Sequence, residues 1–299
     1  MSELAARSSA RRLVGREGRF SGARLRRALP GILATAIVAV FAVGMILPFL
    51  WMLSTSMRPP TEAYDLPPKW SPFPLSTTNY HSALTSPVPL LKNMFNSTVI
   101  AVAVTLGQVI TCPLAGYAFA RLRFRGREAL FFILLASLMV PIQVTIIPLF
   151  ILMKNLGLVN NLLSLILPGL TGAFGVFMMR QFFITIPQDY LDSARMDGAT
   201  AFATFRLVAF PLAKPAVSAL GVIAFLGSWN AYFAPLILLN NIDTATMPLA
   251  LVTLLGPYKS GDVAMIMAAT TIAILPAFVI FLIGQRWIVE TLTSSGVKG

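Results

Sequence analysis

Charge is what this sequence has least of. Asp, Glu, Lys and Arg together make up 11% of its 299 residues, against about 25% in an ordinary soluble chain. The shortage is concentrated in six stretches that carry no charge at all: 28–57, 93–120, 129–153, 155–179, 215–241 and 263–285. Each exceeds the roughly 18 apolar residues needed to cross about 30 Å of hydrocarbon. The expectation is an all-α polytopic membrane protein with six transmembrane helices. A seventh uncharged stretch, 70–91, fails as a span. It holds Pro72, Pro74, Pro87 and Pro89 among polar residues, from which neither a helix nor a lipid-exposed strand can be built.

Other shortages exclude chemistry. The single cysteine, Cys112, lies in the second stretch, so the chain has no internal disulfide. The single histidine, His81, stands in a loop without neighbouring acids or cysteines, so no metal site can be assembled around it. No Gly-Lys pair occurs anywhere, which removes the phosphate-binding loop and ATP binding by that route. The chain is expected to need no cofactor of its own. None of the uncharged stretches offers an intramembrane acid, and Lys214, at the start of the fifth, can snorkel to the interface. An ion-coupled secondary carrier of a small polar solute normally shows such an acid despite its insertion cost of about 2.5–3.5 kcal/mol. That reading therefore stands as the alternative, with a small-molecule channel third. Intramembrane enzymes need clustered acids, histidines or a Ser/His pair at depth, and the sequence has none of these, so no catalysis is expected.

What the chain does have is basic charge, 23 Lys and Arg against 11 Asp and Glu. With the amino terminus cytoplasmic, 18 of these cations fall in inside segments, and Arg58, Lys69, Lys92, Lys154 and Lys259 are the five outside. This asymmetry predicts that both termini are cytoplasmic. It accounts for the net charge of +12 through membrane topology and anionic lipid, without nucleic acid. The reading divides the chain into a basic cytoplasmic tail at 1–27, a first transmembrane helix at 28–57 and an extracytoplasmic loop at 58–92. A membrane core at 93–290 and a cytoplasmic tail at 291–299 follow. The first helix is expected to act as an uncleaved signal anchor. The alternative for the tail is an amphipathic helix on the membrane surface. No internal repeat is visible.

Within the core, residues 186–211 are polar where their surroundings are not. The order is that of two short helices joined by a turn. Pro187 suits a first helical turn, and Asp189 and Asp192 suit free N–H groups near a helix start. Gly198 can end the first helix in a left-handed conformation, Thr200 can cap the second, and Pro211 marks a kink or restart. A bent, charged knuckle on one water face suits a socket on a soluble partner.

This segment resembles the cytoplasmic "EAA" loop of the membrane subunits of type I ATP-binding-cassette importers, which reads roughly Glu-Ala-Ala-x-x-Asp-Gly-Ala, then Phe, then Pro. Here it runs Asp192-Ser193-Ala194-Arg195-Met196-Asp197-Gly198-Ala199 with Phe205 and Pro211, and departs only in Asp for Glu and Ser for Ala. Asn96-Ser97, Ala115 to Arg127, Met139-Val140-Pro141, Phe174-Gly175, Gly227 to Asn230 and the ending Gly296 to Gly299 extend the likeness over about 90–299. Together they resemble the second permease subunit of carbohydrate importers of the maltose-transporter type. The resemblance implies a MetI-like permease core in a prokaryotic plasma membrane. It also implies a second homologous permease, two ATPase subunits that hold ATP and Mg, and an extracytoplasmic solute-binding protein. Asp192, Ser193, Ala194, Asp197, Gly198, Ala199 and Phe205 would couple to the ATPase. By position, Asn240 to Gly261 would reach toward the binding protein's sugar cleft.

A translocation path is read from polar residues at depth. Ser218, Gly221, Phe225, Ser228 and Tyr232 recur at three- and four-residue spacing, and so share one helix face. Gln108, Gln143, Ser228, Asn230 and Tyr232 are the candidates to contact sugar through amide, hydroxyl and aromatic groups. Small and amide residues also hold membrane helices together, and both readings stay open for each residue. Pro141, Pro148, Pro168 and Pro276 are expected to kink or interrupt their helices.

Overall fold

The computed structural model describes residues 31, 33–62, 70, 71, 73–256 and 262–296, with 288–296 described by backbone alone. The tail at 1–27 and residues 28–30 of the expected first helix, Lys69, Pro72, the loop tip at 257–261 with Lys259, and the last residues 297–299 lie outside them. The chain divides into two compact units, Met1–Thr55 and Ser56–Gly299. The first carries most of α1, Leu33–Ser56, an uncharged helix with a mean hydropathy of 2.5 over its most apolar window.

The second unit holds the remaining elements. They are α2 (Thr78–Thr85), α3 (Leu90–Arg121), α4 (Arg127–Ser137), α5 (Ile142–Asn155), α6 (Leu163–Gly169), α7 (Ala173–Thr185) and α8 (Gln188–Met196). After these come α9 (Ala201–Thr204), α10 (Phe210–Leu212), α11 (Lys214–Trp229), α12 (Phe233–Leu238), α13 (Met247–Leu254) and α14 (Val263–Gly296). Described residues contain no strand. Among the described residues, four helical segments are long and apolar enough to cross a membrane, and up to six if each of two bent pairs counts as one span.

Both bent pairs break at a short interruption of at most four residues. The third uncharged stretch turns by 100° between α4 and α5. Pro141, extended at the cap of α5, supplies no N–H and disfavours a helical conformation of the residue before it. The second bend, 77°, separates Ala201–Leu212 from α11. The fifth stretch is not one helix either. α11 stops at Trp229, Asn230 turns its Nδ2 back to the Leu226 carbonyl at 2.9 Å, and α12 begins only at Phe233. The stretch at 70–91 holds the short helix α2 instead of a span. Buried Asn79 ties it down by donating to the Ser56 and Arg58 carbonyls.

α3 is the spine. Its 32 residues give it a length of about 48 Å at 1.5 Å per residue, and α7 and α11 pack along it. Close approach to α7 depends on Gly116, where an added Cβ would stand 2.6 Å from Met179 Cβ and 2.8 Å from the Arg180 nitrogen. The largest buried cluster joins Cys112 and Tyr117 of α3, Met179 and Phe183 of α7, and Val217 and Leu220 of α11. It continues into Leu191 and Phe205 of the 186–211 segment, so that segment is rooted in the core.

The two ends of α3 differ. The 186–211 segment gathers at its C-terminal end, where Arg121 donates to the Ile186 carbonyl and to Gln188. At its N-terminal end, Asn93 Nδ2 donates to the carbonyls of Ile242 and Ala245, and Asn96 Nδ2 to those of Asp243 and Ala245. Ser97 Oγ accepts the Met247 N–H at 2.7 Å. Asn160, at φ 65°, accepts from the Asn240 and Asn241 N–H groups and from the Thr244 hydroxyl.

Candidate functional site

The 186–211 segment folds as two helices and a turn. Pro187 follows α7, caps α8 and places Asp189 in its first turn, where free N–H groups favour an acid. Gly198 ends α8 at φ 85°. The Gly198 N–H reaches the Arg195 carbonyl at 2.9 Å and the Ala199 N–H reaches the Ala194 carbonyl at 3.0 Å, a paired closure that needs a left-handed residue at this position. Thr200 caps α9, its Oγ1 accepting the Ala203 N–H at 3.3 Å. Residues Phe205–Ala209 then form a π turn, with the Phe210 N–H bonded to the Phe205 carbonyl. The wider turn lies just before Pro211, whose ring would crowd an α-helical carbonyl four residues back.

Side chains of this knuckle sort by direction. Leu191 and Phe205 point inward and are buried. Phe205 sits in an aromatic nest, with ring centroids 5.2 Å from Tyr117, 5.7 Å from Phe210 and 6.2 Å from Phe183. Asp192, Ser193, Asp197 and Gly198 face outward, and Ala194 and Ala199 are half-buried. Asp192 Oδ1 accepts from Gln188 Nε2 and Arg195 Nη1, both at 3.0 Å. Ser193 Oγ donates to the Tyr190 carbonyl at 3.1 Å. The outer surface also exposes Tyr190, Met196, Phe202 and Leu207, with Met196 88% accessible. Apolar side chains bared on a charged, rigidly rooted element suit a protein partner.

The five candidate path residues do not form one site. Gln108 and Ser228 line one cavity of about 390 Å³ between α3, α5, α6, α11 and α12, and Gln108 Nε2 also donates to the Gly169 carbonyl at 3.0 Å. Most of that lining is aliphatic, including Val104, Leu149, Ile223 and Leu238. Asn230 borders a different cavity, about 230 Å³, with Met247 and Thr270. Gln143 and Tyr232 are exposed and line neither. The spacing-based face is split as well: Phe225 is buried and stacks on Trp229 at 5.9 Å.

Two groups of side chains that fasten segments of the fold escape sequence reasoning. Arg121 reaches backbone carbonyls at the end of α7, which no spacing rule anticipates. Asn93, Asn96 and Asn160 hold the 238–247 segment, and only the Asn96-Ser97 pair stood out in the sequence.

Residues 113–294 match the family described as binding-protein-dependent transport system inner membrane component. The arabinooligosaccharides transport system permease protein AraQ of Bacillus subtilis (strain 168) is 34% identical over 274 residues, 90% of this chain and 96% of that protein. The lactose transport system permease protein LacG of Rhizobium radiobacter is 32% identical, covering 91% and 98%. The sn-glycerol-3-phosphate transport system permease protein UgpE of Pectobacterium atrosepticum is 32% identical, covering 72% and 77%. Among solved structures, a chain of a bacterial ABC transporter involved in the import of the acidic polysaccharide alginate superposes with a TM-score of 0.75. It is 21% identical and covers 86% of this chain and 96% of that one; the likeness is one of fold.

Proposed function

As this chain belongs to the binding-protein-dependent transport system inner membrane component family, we propose that it is the permease subunit of an ATP-driven importer for a carbohydrate or a related polyol. It forms the path with a second permease, takes its driving force from two ATPase subunits and receives solute from an extracytoplasmic binding protein. The relatives named for arabinooligosaccharide and lactose transport support the carbohydrate class. The relative named for sn-glycerol-3-phosphate sets its outer limit.

The observation that carries the coupling role is the division of labour in 186–211. Leu191 and Phe205 root the knuckle in the core, while Asp192, Asp197, Gly198 and the bare apolar side chains face away from it. Such an element, seated in a groove of an ATPase subunit, converts closure of the ATPase pair into rocking of the spans. The knuckle and the 238–247 segment gather at opposite ends of α3. With the charge asymmetry, that supports a cytoplasmic knuckle, cytoplasmic termini and an extracytoplasmic 240–262 loop directed at the binding protein. Gln108 and Ser228, sharing one cavity, are the path residues this reading retains first.

The test is uptake by vesicles holding the assembled transporter, with radiolabelled lactose, arabinotriose and sn-glycerol-3-phosphate as probes. Uptake of at least one probe should require ATP at the cytoplasmic face and persist after an ionophore collapses ion gradients. Uptake that follows the ion gradient and ignores ATP would sink the proposal.

A further inference from the structure

We infer that Arg121 is the joint through which the knuckle moves α3, a positioning residue for coupling. The inference rests on the coupling role proposed for 186–211.

Arg121 is the last residue of α3 and lies across the end of a different helix, α7. Its Nε donates to the Phe183 carbonyl at 3.0 Å, and its Nη2 to the carbonyls of Phe183 at 2.7 Å, Ile184 at 3.2 Å and Ile186. Its Nη1 donates to Gln188 Oε1 at 2.8 Å. The carbonyls at a helix C-terminus lack intrahelical partners and carry the negative end of the dipole. Pro187 follows at once and has no N–H to offer. One planar cation with five donors satisfies the whole corner.

The bonds continue outward. Gln188 Nε2 donates to Asp192 Oδ1, which also accepts from Arg195. A polar chain therefore runs from the end of the spine helix through the first residue of α8 to the acid on its outer face. Beside it, Tyr117 and Phe183 pack tilted and edge-on against Phe205, a contact that centres the knuckle but can slide. Directional bonds to fixed carbonyls cannot slide without breaking. A displacement of α8 thus reaches α3 through Arg121 and passes along it to the opposite end, where Asn93 and Asn96 grip the 242–245 turn.

The test uses nitroxide labels at Asp189→Cys and Arg125→Cys in a Cys112→Ser background, in the full transporter with its ATPase subunits. Distances are measured without nucleotide and with ATP plus vanadate. With Arg121 present, the distribution should stay single and narrow in both states. Arg121→Gln should still insert and co-purify with the ATPase, yet acquire a second distance population on trapping. Uptake per ATP hydrolysed should fall about tenfold, the factor carried by 1.4 kcal/mol. Arg121→Lys, with the charge but no fork, should lie between. An Arg121→Gln protein with wild-type distances and wild-type uptake per ATP would overturn the inference. Loss of assembly in both variants would also overturn it, by making Arg121 a folding residue. Failure of the coupling role itself would show separately, as full uptake by Gly198→Val.

Discussion

Gly198 offers a test in which conformation and crowding separate cleanly. Its φ is 85°, and a Cβ built there meets nothing within 4 Å. Any cost of substitution is therefore backbone strain, not collision. A residue with a β-carbon in the left-handed region loses about 1–2 kcal/mol relative to glycine. Asparagine tolerates that region better than alanine, and β-branched residues tolerate it least. The expected order of function is Gly, then Asn, then Ala, then Val, although Asn is larger than Ala. Should the docked knuckle carry the full strain, Gly198→Ala lowers the docked population roughly 5- to 30-fold at 1.4 kcal/mol per decade. Gly198→Asn should lose less and Gly198→Val more. The assay is ATPase co-purification and uptake, each divided by inserted permease. If activity instead follows side-chain volume, with Ala above Asn, the strain argument is wrong and outer-surface crowding by the partner governs this position.

Three further outcomes check the rest of the structure. In a Cys112→Ser background, a cysteine at His81 should react with an impermeant maleimide in intact cells and one at Arg195 should not; the reverse pattern would invert the topology. Gly116→Val places its Cβ 2.6 Å from Met179 Cβ, so inserted, protease-resistant protein should fall sharply, by the 1–3 kcal/mol typical of overpacking; normal abundance would contradict the α3–α7 contact. Asn93→Ala with Asn96→Ala removes four hydrogen bonds to the 242–245 carbonyls, each worth about 0.5–1.5 kcal/mol net. The 239–256 segment should then be cut by protease from the outer face while ATPase association persists, and unchanged resistance would refute the grip.

The legible parts of this molecule are those where a residue type does only one thing. Gly198 and Thr200 are read directly because left-handed turns and helix caps have few eligible residues, and the structure has both in those roles. Uncharged length is nearly as legible, because hydrocarbon thickness sets it. Pro141 announces a break, but the 100° bend depends on how α4 and α5 pack, which no local rule contains. The interruption after Trp229 is harder still. Asn230 there bonds its own helix, whereas in the sequence it looked equally suited to a solute. The spaced face on the fifth stretch failed as a unit because period alone does not say which neighbour a face meets; Phe225 meets Trp229 and Ala101. Arg121 was invisible as a joint, since its partners are carbonyls that every residue possesses.

The grip at the other end of α3 has an evolutionary side. Asn93, Asn96 and Ser97 hold the 240–247 segment through the carbonyls of Ile242, Asp243 and Ala245 and the N–H of Met247. These are main-chain atoms, so the fastening reads the path of the segment and is blind to its side chains. The side-chain link from α3, Lys92 to Asp243 at 2.9 Å, is exposed on both partners and adds little, while the Thr244 hydroxyl is held from elsewhere, by Asn160 at 2.8 Å. Selection can therefore rewrite the side chains of 240–246 other than Thr244 while leaving the main-chain fastening untouched. For an engineer, the same stretch is a cassette: sequences from other importers can be exchanged into it at constant length, provided the three gripping residues on α3 are kept.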